Sequence, residues 1–128
     1  MAKFGNTSLR RLKTCDARIV KVFQTVVKTF DCTVLEGHRT KERQKELVAE
    51  GKSKTMKSKH LYDPSRAIDI APYPIDWEDR ERFTYFAGFV MGVASQLGIE
   101  LRWGGDWDQD TEVKDNRFDD LVHFELMD

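Results

Sequence analysis

Cysteine, proline and histidine are scarce in this chain, with two, three and three copies among 128 residues. Cys15 and Cys32 suit a reducing compartment and read as two small, half-buried hydrophobes rather than a disulfide. Neither stands close enough to a histidine in sequence to argue for a thiol nucleophile. Charge of one sign is missing too: 21 basic residues against 22 acidic ones leave a net charge of -1, which provides no general pull toward nucleic acid. One local exception is basic, the segment from Lys52 to Lys59 with its four lysines. No apolar run approaches the roughly 20 residues that span a bilayer, and the start, Met1-Ala2-Lys3-Phe4-Gly5-Asn6, lacks the apolar core of a secretion signal. The expectation is a protein made and kept in the cytosol, with no stable membrane insertion. Internal repeats and linkers are absent as well, so residues 1–128 are read as one domain, long enough to bury roughly two-thirds of its unfolded surface.

What is present is patterned. Ile19, Val22, Phe23, Val26, Val27 and Phe30 recur at helical spacing behind a capping Asp16, which predicts a core helix over 16–30. Cys32 to Leu35 is β-prone and runs into Glu36-Gly37-His38-Arg39. A polar helix over 40–50 follows, capped by Thr40, stopped by Gly51, with Leu47 and Val48 turned inward. The Ser, Lys and Thr composition of 51–59 marks an exposed loop that ends at His60. Arg66 to Ala71 reads as a strand closed by Pro72 and Pro74, and Phe83, Phe86, Ala87, Val90, Val93, Ala94 and Leu97 predict a second core helix over 78–97. Ile99 to Trp103 and Leu121 to Leu126 read as strands, separated by an acidic loop over 108–119. Helices and strands mix without the alternation that marks a parallel sheet, so the expected class is α+β with a small antiparallel sheet and packed helices.

Two of the three histidines sit in suggestive company. Asp120-Leu121-Val122-His123-Phe124-Glu125 places a carboxylate three residues before His123, and His60 precedes Asp69 on an otherwise apolar strand. Taken singly, a histidine is more often a surface or core residue than a ligand. Jointly, two imidazoles and a carboxylate make the three-ligand set of a catalytic zinc site, which leaves a fourth position open for water. An imidazole between Val122 and Phe124 would also be costly to bury without a partner. Asp69 would point away from Ile68 and Ile70, with an ion pair to Arg66 or a lysine as the competing role. Asp120 suits a base beside that water, against a plain solvated acid at a loop end. Arg39 suits oxyanion or carboxylate contact, and a surface arginine at a helix start is an equal reading. His38 is left as a structural or rim residue. Trp103, Trp107 and Tyr73 suit a groove for sugar or peptide, with core packing the competing role for at least one tryptophan. The carboxylates of Asp106 to Asp119 could hold calcium, against the simpler reading of a solvated charge run.

Four segments in order carry a resemblance across almost the whole chain: Glu36-Gly37-His38-Arg39-Thr40 with Gln44, Ser58-Lys59-His60 through Ala67-Ile68-Asp69, Trp103-Gly104-Gly105-Asp106-Trp107, and Asp120 through Glu125. The chain resembles zinc peptidases of the D-alanyl-D-alanine carboxypeptidase type, in particular phage endolysins that are L-alanyl-D-glutamate endopeptidases. Asp63-Pro64-Ser65 lengthens the gap between histidine and aspartate relative to the commoner family spacing. The resemblance implies the carboxypeptidase and hedgehog-like fold. It also implies Zn2+ held by His60, Asp69 and His123, with Asp120 as base and acid and Arg39 on the scissile carbonyl or the substrate. Ser58, Gln44, Tyr73, Trp103 and Trp107 become the expected substrate contacts. The implied substrate is the stem peptide of bacterial peptidoglycan. The implied life history is a monomer in the host cytoplasm until lysis, then at the periplasm and cell wall, with a holin opening the inner membrane. Two alternatives stay open, a D-alanyl-D-alanine carboxypeptidase and a non-catalytic, zinc-stabilised wall-binding module.

Overall fold

The computed structural model describes residues 2–112 and 120–128. The element order is α1 (Asn6–Leu12), α2 (Ala17–Val26), β1 (Cys32–Glu36), α3 (Lys41–Ala49), a single 3-10 turn (Lys59–Leu61), β2 (Ala67–Pro72), α4 (Arg80–Gln96), β3 (Leu101–Gly104) and β4 (Asp120–Leu126). The four strands form one antiparallel sheet in the order β1-β2-β4-β3, which agrees with the α+β expectation.

Local chemistry sets the helix ends. Asp16 accepts the backbone N–H of Arg18, Thr40 that of Arg43 and Asp79 that of Arg82, each satisfying an N–H that has no partner inside its helix. Gly51 and Gly98 close α3 and α4 with φ of 74° and 72°, where a side chain would be strained. Both core helices are shorter than the periodicity suggests: α2 starts after its cap Asp16 and ends at Val26, ahead of a turn, and α4 is bounded by the caps Asp79 and Leu97. Helix α1 was not anticipated. Its sequence is mostly polar, only Ser8 and Leu12 are buried, and it is held through tertiary contacts: Ser8 Oγ accepts the amide of Val34 at 3.1 Å and Arg11 donates to the Val34 carbonyl at 3.1 Å.

The alternation along the strands separates two faces. On one, Val34, Ile68, Ile70, Leu101, Phe124 and Leu126 join Ile19, Val22, Phe23 and Val26 of α2 and Phe86, Val90 and Ala94 of α4 in the hydrophobic core. Phe124 lies between the two helices, with its ring 5.6 Å from Phe23 and 6.2 Å from Phe86. The other face carries polar residues in register: Glu36 pairs with Asp69, Asp69 with His123, and Arg102 with Glu125. α3 departs from its reading. Its one buried residue is Gln44, while Val48 is exposed and Leu47 lines the cleft described next. The part of the expected acidic loop over 113–119 lies outside the described residues.

Candidate metal centre

Asp69 and His123 meet because they are direct partners across β2 and β4, where side chains on one face approach closely. His60 arrives from the 3-10 turn, whose cap is Ser58: its hydroxyl accepts the His60 amide at 3.2 Å. Asp69 Oδ1 lies 3.2 Å from His60 Nε2 and 3.3 Å from His123 Nδ1. The distant ring nitrogens are committed elsewhere. His60 Nδ1 donates to the Gly37 carbonyl at 2.7 Å, and His123 Nε2 donates to Glu125 Oε1 at 2.8 Å. These fixed acceptors set opposite tautomers, so the two rings turn their remaining nitrogens toward the same carboxylate oxygen. Three lone-pair-bearing atoms gathered this closely repel unless a proton or a cation lies among them. The donor set, two imidazoles and one carboxylate with a carbonyl and a carboxylate behind them, fits a metal ion, and His60, Asp69 and His123 form a group able to hold one.

The electrostatics follow this geometry. Burial pushes the Asp69 carboxyl up, but hydrogen bonds with His123 and His60 outweigh it and hold the group well below the usual carboxylate range. Burial lowers His123, yet its bonds with Asp69 and Glu125 prevail and raise it to about 9. Asp120 is raised, first by burial and then by the negative charge of Asp69. Its Oδ2 stands 4.0 Å from His123 Nδ1, beyond hydrogen-bond reach, and it faces the same cleft. Gly104 makes that position possible: a Cβ there would lie 2.1 Å from the Asp120 carbonyl oxygen.

Arg39 has a side chain only 9% exposed and sits beside the centre. Its Nε donates to Glu36 Oε1 at 2.9 Å, its Nη1 to Gln44 Oε1 at 2.7 Å, and its Nη2 bonds Glu36 and comes within 3.5 Å of Asp69 Oδ2. Gln44, expected at the substrate, is fully buried and outside the cleft lining; it spends its own N–H groups on Ser53 Oγ and the Thr55 carbonyl and holds Arg39 through its oxygen. These groups open into a cleft of about 580 Å³ whose lining includes His60, Asp69, Asp120, His123, Ser58 and Trp107. The Trp107 ring lies 5.3 Å from the His123 ring, and the Arg102 guanidinium stands 5.3 Å from the centre of the Trp107 ring.

Two other expected substrate contacts lie elsewhere. Trp103 is buried on the core side of β3 and donates its indole N–H to the Leu121 carbonyl at 2.9 Å, because strand alternation turns it away from Arg102. Tyr73 is exposed beyond the end of β2, outside the cleft lining, and its carbonyl accepts Arg82. His38 is likewise outside the lining, tied by its backbone N–H to Thr14. Glu125 was missed as a functional candidate. It is 5% exposed and binds His123, Arg102 at 2.8 Å and Lys59 at 3.4 Å. Its offset of two from His123 on a strand was the available signal, since such residues share a face.

A sheet-supported His, Asp and His group able to hold a metal ion, beside a carboxylate and an arginine in an α+β fold, points to the hydrolase class. The comparisons narrow it. The profile of the family described as Phage L-alanyl-D-glutamate peptidase matches residues 1–127. The chain is 34% identical to the L-alanyl-D-glutamate peptidase of Escherichia phage T5 over 137 residues, covering 98% of each. The crystal structure of the Serratia marcescens L-Ala D-Glu endopeptidase ChiX is similar with a TM-score of 0.77 and 27% identity, over 98% of this chain and 90% of that one. This chain belongs to the phage L-alanyl-D-glutamate peptidase family.

Proposed function

We propose that the chain is a zinc-dependent endolysin that hydrolyses the L-alanyl-D-glutamate bond of peptidoglycan stem peptides. The observation that carries the reading is the convergence of His60, Asp69 and His123 with Asp120 just beyond them, in a chain whose whole length matches a family of that activity. Bound there, zinc would supply Lewis acidity, polarising a carbonyl oxygen and bringing the pKa of water toward about 7. Asp120 takes the proton of the attacking water and passes it to the leaving amide nitrogen, a role that its raised proton affinity favours. Arg39, held rigid by Glu36 and Gln44, offers its guanidinium to the oxygen on which negative charge develops. Glu125 keeps His123 in one tautomer throughout. The cleft is open enough for an extended peptide, and Trp107 offers an aromatic wall.

The proposal extends to a monomeric single domain that depends on a holin for access to the wall. No described helix is long and apolar enough to cross a membrane. Digestion of purified muropeptides followed by mass spectrometry tests the bond assignment. The expected products are free L-alanyl ends and peptides beginning with D-glutamate. Release of D-alanine from otherwise intact stems would select the carboxypeptidase reading in its place.

A further inference from the structure

Among the described residues, the lining of the cleft holds more basic than acidic side chains. Seven of the lining residues are lysine or arginine and four are carboxylates, in a chain of net charge -1. Three of those carboxylates are held from within: Glu36 by Arg39, Asp69 by the two histidines, and Glu125 by His123, Arg102 and Lys59. Four of the basic residues stand on one wall, Lys52, Lys54 and Lys57 of the segment after α3 together with Arg43; Arg43 also pairs with Glu46 at 2.9 Å and Lys52 with Glu50 at 3.4 Å. This wall is tethered. Gln44 donates to Ser53 Oγ at 2.9 Å and to the Thr55 carbonyl at 2.6 Å, and its Oε1 accepts Arg39 at 2.7 Å. One buried amide therefore couples the lysine segment to the arginine of the centre. A loop serving only as a solvated connection would gain little from a fully buried side chain devoted to its shape.

The chemistry of a stem peptide supplies the complement. Its D-glutamyl residue continues the chain through the γ-carboxyl, so the α-carboxylate stays free, two bonds from the nitrogen released on hydrolysis. A diaminopimelyl residue after it adds another. The leaving half is thus anionic, whereas the L-alanyl half is not. We propose that the wall formed by Lys52, Lys54, Lys57 and Arg43 receives the carboxylates of the leaving half and so discriminates free from amidated stem peptides. The inference rests on the stem-peptide reading above. Its reach is short, because such charges are screened over roughly 8 Å at physiological salt.

The test compares two synthetic tetrapeptide substrates, one with free D-glutamyl and diaminopimelyl carboxylates and one amidated at both, using the zinc-loaded full chain and its Lys54→Gln/Lys57→Gln variant. Wild type is expected to favour the free peptide by about tenfold in kcat/KM, chiefly through KM, as a few exposed charge pairs allow, with the preference shrinking at high salt. In the variant the ratio falls toward one while the melting temperature holds. Equal cleavage of both peptides by wild type, or an unchanged ratio in the variant, overturns the inference alone. Equal cleavage joined to lysine-dependent retention on anionic wall polymers also overturns it, by assigning the wall to a polyanion. Failure of wild type to cut either peptide refutes the stem-peptide reading itself and this inference with it.

Discussion

Replacing Glu125 with alanine probes the support behind the metal group without touching a candidate ligand. The carboxylate is 7% exposed at its side chain and accepts His123 Nε2–H at 2.8 Å and Arg102 at 2.8 Å, with Lys59 at 3.4 Å. Breaking a buried charge network costs about 3–5 kcal/mol when the partners stay dry. Here Arg102 and Lys59 are 33% and 24% exposed and regain water, so the main loss is the His123 N–H, left without an acceptor in a ring 8% exposed. A buried donor orphaned in this way costs about 1–3 kcal/mol. The expected destabilisation of the metal-free protein is therefore about 2 kcal/mol, a fall of roughly 6–10 °C in melting temperature for a chain of this size. With its tautomer no longer held, His123 should also bind zinc about 10–100-fold more weakly. Glu125→Gln, which keeps one acceptor, should fall between. Calorimetric melting without metal and zinc competition against a chromophoric chelator read the two effects separately. An alanine variant with wild-type zinc affinity and an unshifted melting temperature would refute the reasoning.

Other expectations follow from the same geometry. Asp120→Asn should lower kcat by on the order of 10²–10⁴-fold while zinc content stays stoichiometric, since Asp120 does not belong to the donor group; near-normal lysis of permeabilised cells would remove it from the proton-transfer role and favour a binding module. His60→Ala or His123→Ala should abolish stoichiometric zinc in dialysed protein measured by elemental analysis, and unchanged content would count against the centre. Gly104→Ala forces a Cβ against the Asp120 carbonyl, which should cost about 1–3 kcal/mol and depress turnover, both visible in a melt and a turbidity assay. Cys15 and Cys32 are buried, with thiols pushed up by that burial to about 12. They should resist Ellman's reagent at pH 8 in the folded protein and react fully in denaturant, because the thiolate is the reactive form; rapid native labelling would contradict their placement.

Periodicity alone located both core helices, and the alternation around Asp69 indicated which way it would face, because a strand of period two must put Asp69 opposite Ile68 and Ile70. Caps were legible too: Asp16 and Thr40 are chemically suited to bind free N–H groups, and they do. Helix α1 was not legible, since a short polar helix is stabilised by what it packs on and its own seven residues contain little signal. The aromatic groove was overdrawn for a related reason. Trp103 and Trp107 are alike as residue types, and only their places in the fold separate them: Trp103 lies on the core side of β3, and Trp107 in the turn after it lines the cleft. Sequence by itself determined the chemical kit and its order along the chain. Tertiary structure decided what supports it: the pairing of Asp69 with His123, the Gly37 carbonyl that orients His60, and the buried Gln44 that joins Arg39 to the lysine wall. Such contacts arise from register and crossing geometry between distant segments, which composition and spacing do not encode.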